Sequence, residues 1–261
     1  NIYVADRGDK VICKFTPEGK PAEGFGAGGK MIPQGSPAVQ TVKVDQAGYL
    51  YTTGAFHNVG VYDKKGNFVR VVGGWFLDEK GQHTPENTVN PLGIALGDDK
   101  IYITRGGADG VVAFNPSFAG KDGFIFKSSG NPFVYSPQPP NIGYCGPGLD
   151  AAPGGTIYGV GLWGDLRKGV DTGEDIAFKY ACATGPDGAP MKHPTDTAVA
   201  SDGTIWVADW GSGRIVRFFD TGGALVPVFA FGEQSEGDLA LGCFQNPHGL
   251  AISADGKYLY L

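Results

Sequence analysis

The 261-residue sequence is poor in charge: only 18% of its side chains are charged, and they sum to a formal net charge of -6. It has no basic cluster to meet a polyphosphate or an anionic lipid surface, which excludes nucleic acid as the default partner. No apolar run reaches the roughly 18 residues that a membrane-spanning helix needs, so no membrane insertion is expected. Cys13, Cys145, Cys182 and Cys243 lack C-x-x-C or any other zinc-binding spacing. Disulfides or buried thiols remain, with Cys145 and Cys182 the best-placed pair because they fall at opposite ends of one repeat. Cys13, inside Val11-Ile12-Cys13-Lys14-Phe15, reads as a buried thiol. The sequence also has no G-x-S-x-G elbow, phosphate loop or paired histidine-carboxylate motif, so nucleophilic catalysis has no candidate. It opens Asn1-Ile2-Tyr3, without a start methionine or signal peptide, and is expected to be a processed or incompletely represented chain.

Glycine and proline are plentiful, at 44 and 18 residues, while 41% of the chain is hydrophobic. Such a composition describes a folded protein of many short strands and turns, not a disordered one. An aliphatic-aromatic pair then recurs: Ile2-Tyr3, Leu50-Tyr51, Ile101-Tyr102, Ile157-Tyr158, Ile205-Trp206 and Leu259-Tyr260. The aromatics are 48, 51, 56, 48 and 54 residues apart, a period of about fifty. A proline precedes each later pair, at Pro37, Pro91, Pro147, Pro194 and Pro247. A second aromatic follows, at Phe15, Tyr62, Phe114, Phe178 and Phe218. The fourth repeat is stretched, with 20 residues from Tyr158 to Phe178 against 11 or 12 elsewhere, and its excess is expected to be a loop around Trp163 to Asp175.

Turn signals separate the apolar runs, as where Ser201-Asp202-Gly203 parts Thr197-Ala198-Val199-Ala200 from Thr204-Ile205-Trp206-Val207. Each full repeat supplies three clear strands and a weaker fourth, such as Phe68 to Val72 or Phe124 to Phe126. Four antiparallel strands per repeat make the blade of a β-propeller, whose sheet faces are buried against neighbouring blades. The repeats run over about 1–36, 37–90, 91–140, 141–193, 194–246 and 247–261 of one domain. The expectation is six blades with incomplete ends. The alternative is five, with Pro247 to Ser253 completing the first blade. The Pro-rich stretch Asn131 to Asn141 is expected to protrude between blades.

His193-Pro194-Thr195-Asp196 through Val207-Ala208-Asp209-Trp210-Gly211-Ser212-Gly213-Arg214-Ile215-Val216-Arg217-Phe218 resembles the NHL-repeat family. The resemblance implies an all-β, NHL-type propeller in which loops converge at one end of the channel. Those loops nominate Arg7, His57, Arg105, Trp163, Trp210 and His248 as ligand-binding residues for a protein or a small polar ligand. Asp6 and Asp209 read more simply as holding their own turns.

From Pro194 onward, R-I-V-x-F, G-E-x-S and Gly242-Cys243-Phe244-Gln245-Asn246-Pro247-His248-Gly249-Leu250-Ala251 further resemble the peptidyl-α-hydroxyglycine α-amidating lyase branch. That resemblance implies zinc held by three P-H histidines, with Arg7, Trp210 and His248 as the catalytic set. The positions matching His248 elsewhere are Ala38, Leu92, Gly148 and Thr195, so one of three histidines is present. Related propellers also imply a channel calcium ion held by backbone carbonyls. A sugar-lactone hydrolase on the same architecture has no residue-level support. The expectation is therefore a non-catalytic binding or scaffold propeller, secreted or at the cell surface or periplasm, within a larger assembly. The alternative is a zinc- or calcium-dependent lyase.

Overall fold

The computed structural model describes residues 1–34, 39–55, 57–88, 90–105, 110–127, 148–161, 164–235, 237 and 241–261. The Pro-rich stretch, Cys145 and Trp163 lie outside the described residues. The fold is an all-β, NHL-type propeller of antiparallel blades, with a single 3-10 turn at Trp210–Ser212 among the described residues. The chain divides into two compact units, Asn1–Gly106 with Val112–Lys127, and Gly107–Val111 with Ser128–Leu261.

The first unit accounts for three blades. Blade 1 is β1 (Ile2–Asp6), β2 (Val11–Phe15) and β3 (Lys30–Met31). Blade 2 is β4 (Val42–Val44), β5 (Leu50–Ala55), β6 (Asn58–Tyr62) and β7 (Phe68–Val72). Blade 3 is β8 (Pro91–Leu96), β9 (Ile101–Arg105), β10 (Val111–Phe114) and β11 (Phe124–Lys127). The second unit holds blade 4, formed by β12 (Leu149–Ala152), β13 (Thr156–Gly161), β14 (Asp165–Asp171) and β15 (Ile176–Cys182). Blade 5 is β16 (Pro194–Val199), β17 (Ile205–Asp209), β18 (Arg214–Asp220) and β19 (Leu225–Phe231). Two short pairs follow: β20 (Glu233–Gln234) with β21 (Cys243–Phe244), and β22 (Ala251–Ile252) with β23 (Leu259–Tyr260).

Among the described residues the chain thus carries five blades, the number of the stated alternative, and a full sixth is not seen. Its last period contributes the β22–β23 hairpin, in which Ala251 pairs with Tyr260 and Ile252 with Leu259. The intervening turn explains the local choice. Gly256 has a φ of 70° and donates its amide to the Ser253 carbonyl, so a short loop closes at low entropic cost. The fourth repeat also departs from expectation. Its excess is the strand β14 and a turn at 172–175, and Phe178 lies on the fourth strand instead of the third.

The period-2 alternation of the strands gives each blade two apolar faces, and the buried clusters join consecutive blades. Ile12, Phe25 and Met31 of blade 1 pack with Leu50 and Tyr62 of blade 2. Val59, Val61 and Val72 pack with Ile94, Ile101, Ile103 and Phe114 of blade 3. In the second unit, Tyr158, Val160 and Leu166 meet Ile205, Val207, Val216 and Phe218. The opposite face of blade 5 carries Ala198, Ala208 and Ile215, covered by Leu250, Ile252 and Leu259. Each fully buried aliphatic or phenylalanine side chain contributes about 1.5–3 kcal/mol relative to exposure.

Polar pins fix the spacing of these packed faces. Thr41 and Thr53 both donate hydroxyls to the Leu92 carbonyl, at 2.8 and 3.1 Å. In the second unit Asp150 accepts the Val199 amide and Asp196 accepts the Leu250 amide, both at 2.8 Å. Asp220 at the end of β18 is the most heavily bonded pin. It accepts the Tyr158 hydroxyl at 2.6 Å, the Tyr180 hydroxyl, the Lys168 ammonium and the Gly222 amide. Burial opposes its ionisation, but the bonds from Lys168, Tyr158 and Tyr180 outweigh that and bring its pKa down to about 2. Burial and the same carboxylate push the Tyr158 phenol up.

The Asp220 contribution is complete above the ordinary carboxylate range and is lost as the pH falls toward about 2. Asp220→Asn is therefore expected to destabilise the protein by about 2 kcal/mol at neutral pH, with the gap closing in acid. Urea melts of both proteins across the acid range measure this, and a gap independent of pH would contradict it.

Candidate functional site

The V-A-D turns after β1 and β17 are structural. Asp6 accepts the Asp9 amide at 3.0 Å, closing its own turn. Asp209 is fully buried, accepting the Lys192 amide on Oδ1 and the Arg214 Nε on Oδ2 at 2.9 Å. Arg214 also reaches Asp187 at 3.1 Å and the carbonyls of Ala189 and Pro190. The aspartate and arginine of the best-matching repeat thus anchor the start of β18 to the segment that enters blade 5. Gly213 between them has a φ of 61°, and a Cβ there would sit 2.5 Å from the Gln234 Cα, so the turn admits only glycine.

Blade 4 reaches a similar end by another route. Gly161, paired with Asp165, occupies the place that Asp209 holds in blade 5. A Cβ on Gly161 would lie 2.0 Å from Asp165 Oδ1, so the carboxylate from the facing strand fills that space. Asp165 then binds Arg167 at 2.8 Å. In blade 3 the same position on the second strand is Arg105, which faces Pro91 much as Asp209 faces Pro194.

The nominated ligand residues occupy distinct settings. In the first unit Arg7 is exposed after β1, and Arg105 is only 2% exposed at the end of β9. His57 sits in the β5–β6 turn with a φ of 69°, its ring centroid 4.2 Å from that of Trp75. In the second unit Trp210 is 37% exposed and meets the His193 ring edge-on at 6.4 Å. His248 is exposed, and its backbone carbonyl accepts the Thr195 hydroxyl at 3.0 Å.

The structure accounts for the substituted histidine positions. A Cβ on Gly148 would lie 2.5 Å from the Asp196 Cα, so this close backbone approach leaves no room for an imidazole. Leu92 is buried and serves through its carbonyl. Among the described residues no three histidine, cysteine or carboxylate side chains converge to hold a metal ion. The donors present among the described residues do not fit the three-histidine zinc set. Cys13 is a buried thiol, with burial pushing its pKa up, while the Cys182 thiol faces the Thr184 carbonyl.

One cluster was not legible as a site in the sequence. Residues 76–84 fold back as a small hairpin, with Leu77 bridging His83. This places Trp75 against two imidazoles, His57 at 4.2 Å and His83 edge-on at 4.3 Å, yet leaves the indole 46% exposed. The Asn90 amide donates to His57 Nδ1 at 3.2 Å, and the Thr88 hydroxyl donates to the His57 carbonyl. Because a backbone N–H can only donate, Nδ1 bears the lone pair and the ring proton resides on Nε2. Burial, then the field of His83, hold the His57 pKa below its ordinary value.

The NHL repeat model matches residues 191–218, the stretch from Met191 through β18. Repeat and blades together define an NHL-type β-propeller. A catalytically inactive virginiamycin B lyase from Staphylococcus aureus, solved with quinupristin, has a TM-score of 0.57 at 15% identity. The match covers 96% of this chain and 70% of that one. A streptogramin B lyase gives 0.54 at 17% identity, covering 97% and 84%. A functionally unknown protein from Desulfotomaculum acetoxidans gives 0.57 at 15% identity, covering 98% and 74%. At these identities the likeness establishes the fold alone. No curated protein matches the sequence.

Removing Asp209 takes away the buried partner of Arg214 Nε and of the Lys192 amide, and leaves the guanidinium, 12% exposed, with the exposed Asp187 and two backbone carbonyls. Asp209→Ala is expected to cost about 2–3 kcal/mol, whereas replacing both residues by leucine costs less than the single change. Denaturant midpoints test the order, and a single variant as stable as the parent would refute the anchoring role.

Proposed function

We propose that the chain is a non-catalytic recognition or scaffold propeller acting outside the cytoplasm, binding a protein or a small polar ligand through loops at the blade ends. The carrying observation is the use made of the repeat's own charged groups. Asp209 and Arg214 bind each other and the neighbouring backbone, Asp165 and Arg167 bind each other, and Asp220 joins blades 4 and 5. Acids and bases held in this way serve as fasteners, leaving exposed imidazole and indole groups as the recognition chemistry. A propeller suits that role because a rigid set of blades presents many loop ends without committing the core.

The competing reading is a metal-dependent lyase acting through Arg7, Trp210 and His248. Purified protein is expected to carry no stoichiometric zinc or calcium by elemental analysis and to leave a peptidyl-α-hydroxyglycine substrate intact. Stoichiometric zinc, with turnover abolished by His248→Ala, would replace the recognition reading with the lyase one.

A further inference from the structure

We infer that the Trp75 platform, framed by His57 and His83, is a binding site for a neutral saccharide. This rests on the recognition reading and names a ligand class for it. The indole is a flat apolar plate, nearly half open to solvent and braced by two rings within 4.3 Å. Side chains fixed before binding lose little freedom on complex formation, which makes such a plate an effective contact surface. The C–H face of a pyranose is apolar while its rim carries hydroxyls, so its ligand must supply both characters at once.

The polar groups beside the plate select among ligand charges. With Nδ1 occupied by the Asn90 amide, His57 carries its N–H at Nε2. An N–H at Nε2 has no lone pair to offer a cation or metal ion, so His57 does not serve as its ligand through that nitrogen. An anion is disfavoured by the segment that carries the plate, in which Asp78, Glu79 and Glu86 outnumber Lys80. A neutral N–H donor beside an apolar plate suits a neutral ligand rich in hydroxyl oxygens.

The hairpin also contains an unmet acceptor. Asn87 is fully buried, its Nδ2 lies against His83 Nδ1, and its Oδ1 has no hydrogen-bond partner among the described residues. A buried amide oxygen left this way calls for a donor, and since no ligand atom reaches a fully buried oxygen directly, a water bridging it to a ligand hydroxyl is the group that would supply one. The groups packed on His57, namely Trp75, Thr88 and Asn90, are uncharged, and His83 is the titratable neighbour acting on it.

Saturation-transfer NMR with the methyl glycosides of glucose, galactose and N-acetylglucosamine tests the inference on the intact chain. At least one glycoside is expected to receive saturation through its ring C–H protons, with affinity about tenfold weaker in Trp75→Ala. His83→Ala, at an exposed position, is expected to weaken binding while leaving the amide spectrum of the blades unchanged. Binding should also fall as the pH drops through the His57 ionisation, because protonated Nδ1 loses its bond to Asn90. No transfer to any glycoside, or transfer unchanged in both variants, overturns the site and leaves the recognition reading standing. Binding at Trp75 accompanied by chemical conversion of the glycoside would sink the non-catalytic reading and leave the site in place.

Discussion

The apolar contact between one blade's face and the next is the interaction on which the rest of this structure depends. A four-stranded sheet of this size cannot shield both its faces, and its interior residues are stable only because the following sheet covers them. The clusters joining Ile12 to Leu50, Val61 to Ile103 and Val160 to Val207 are therefore the stabilising elements of the fold. Hydrogen bonds from Thr41, Asp150 and Asp196 add little area but fix how far each face slides over the next. Specific spacing at this level is what holds loop residues in constant positions at the blade ends.

Much of this architecture was readable from residue order. The aliphatic-aromatic pairs fall on the second strand of blades 2 to 5 and on β1 of the three-stranded blade 1, because alternation and turn residues determine local strand pairing. Weak strand candidates such as Phe68 to Val72 became real strands because a neighbouring strand completes them. Blade number was less legible, since whether residues 247–261 pair with each other or with a distant strand depends on competing closures. The stretched fourth repeat misled for a related reason. Glycine-rich and charged residues around Asp165 resemble a loop in composition, although Leu166 and Val170 alternate as a strand.

The candidate site was legible in part. His57 was recognisable as a loop residue at a blade end, but nothing in the sequence announced its partnership with Trp75 and His83, respectively 18 and 26 positions downstream. That association depends on a hairpin outside the repeat pattern, and such excursions have no periodic signal. Arg105 shows the converse limit. Its position in the repeat was evident, yet its near-complete burial follows from packing around β9, which a linear reading does not contain.

The exchange at Gly161 and Asp165 carries a consequence for the history of repeat proteins. Blade 4 keeps a carboxylate where blade 5 keeps one, but supplies it from across the hairpin. Selection on such a scaffold acts on where a charge ends up in space, and the sequence column from which it comes is free to drift. Blades 4 and 5 thus share a carboxylate that their aligned sequences do not, and the NHL repeat model matches one of the five blades seen among the described residues.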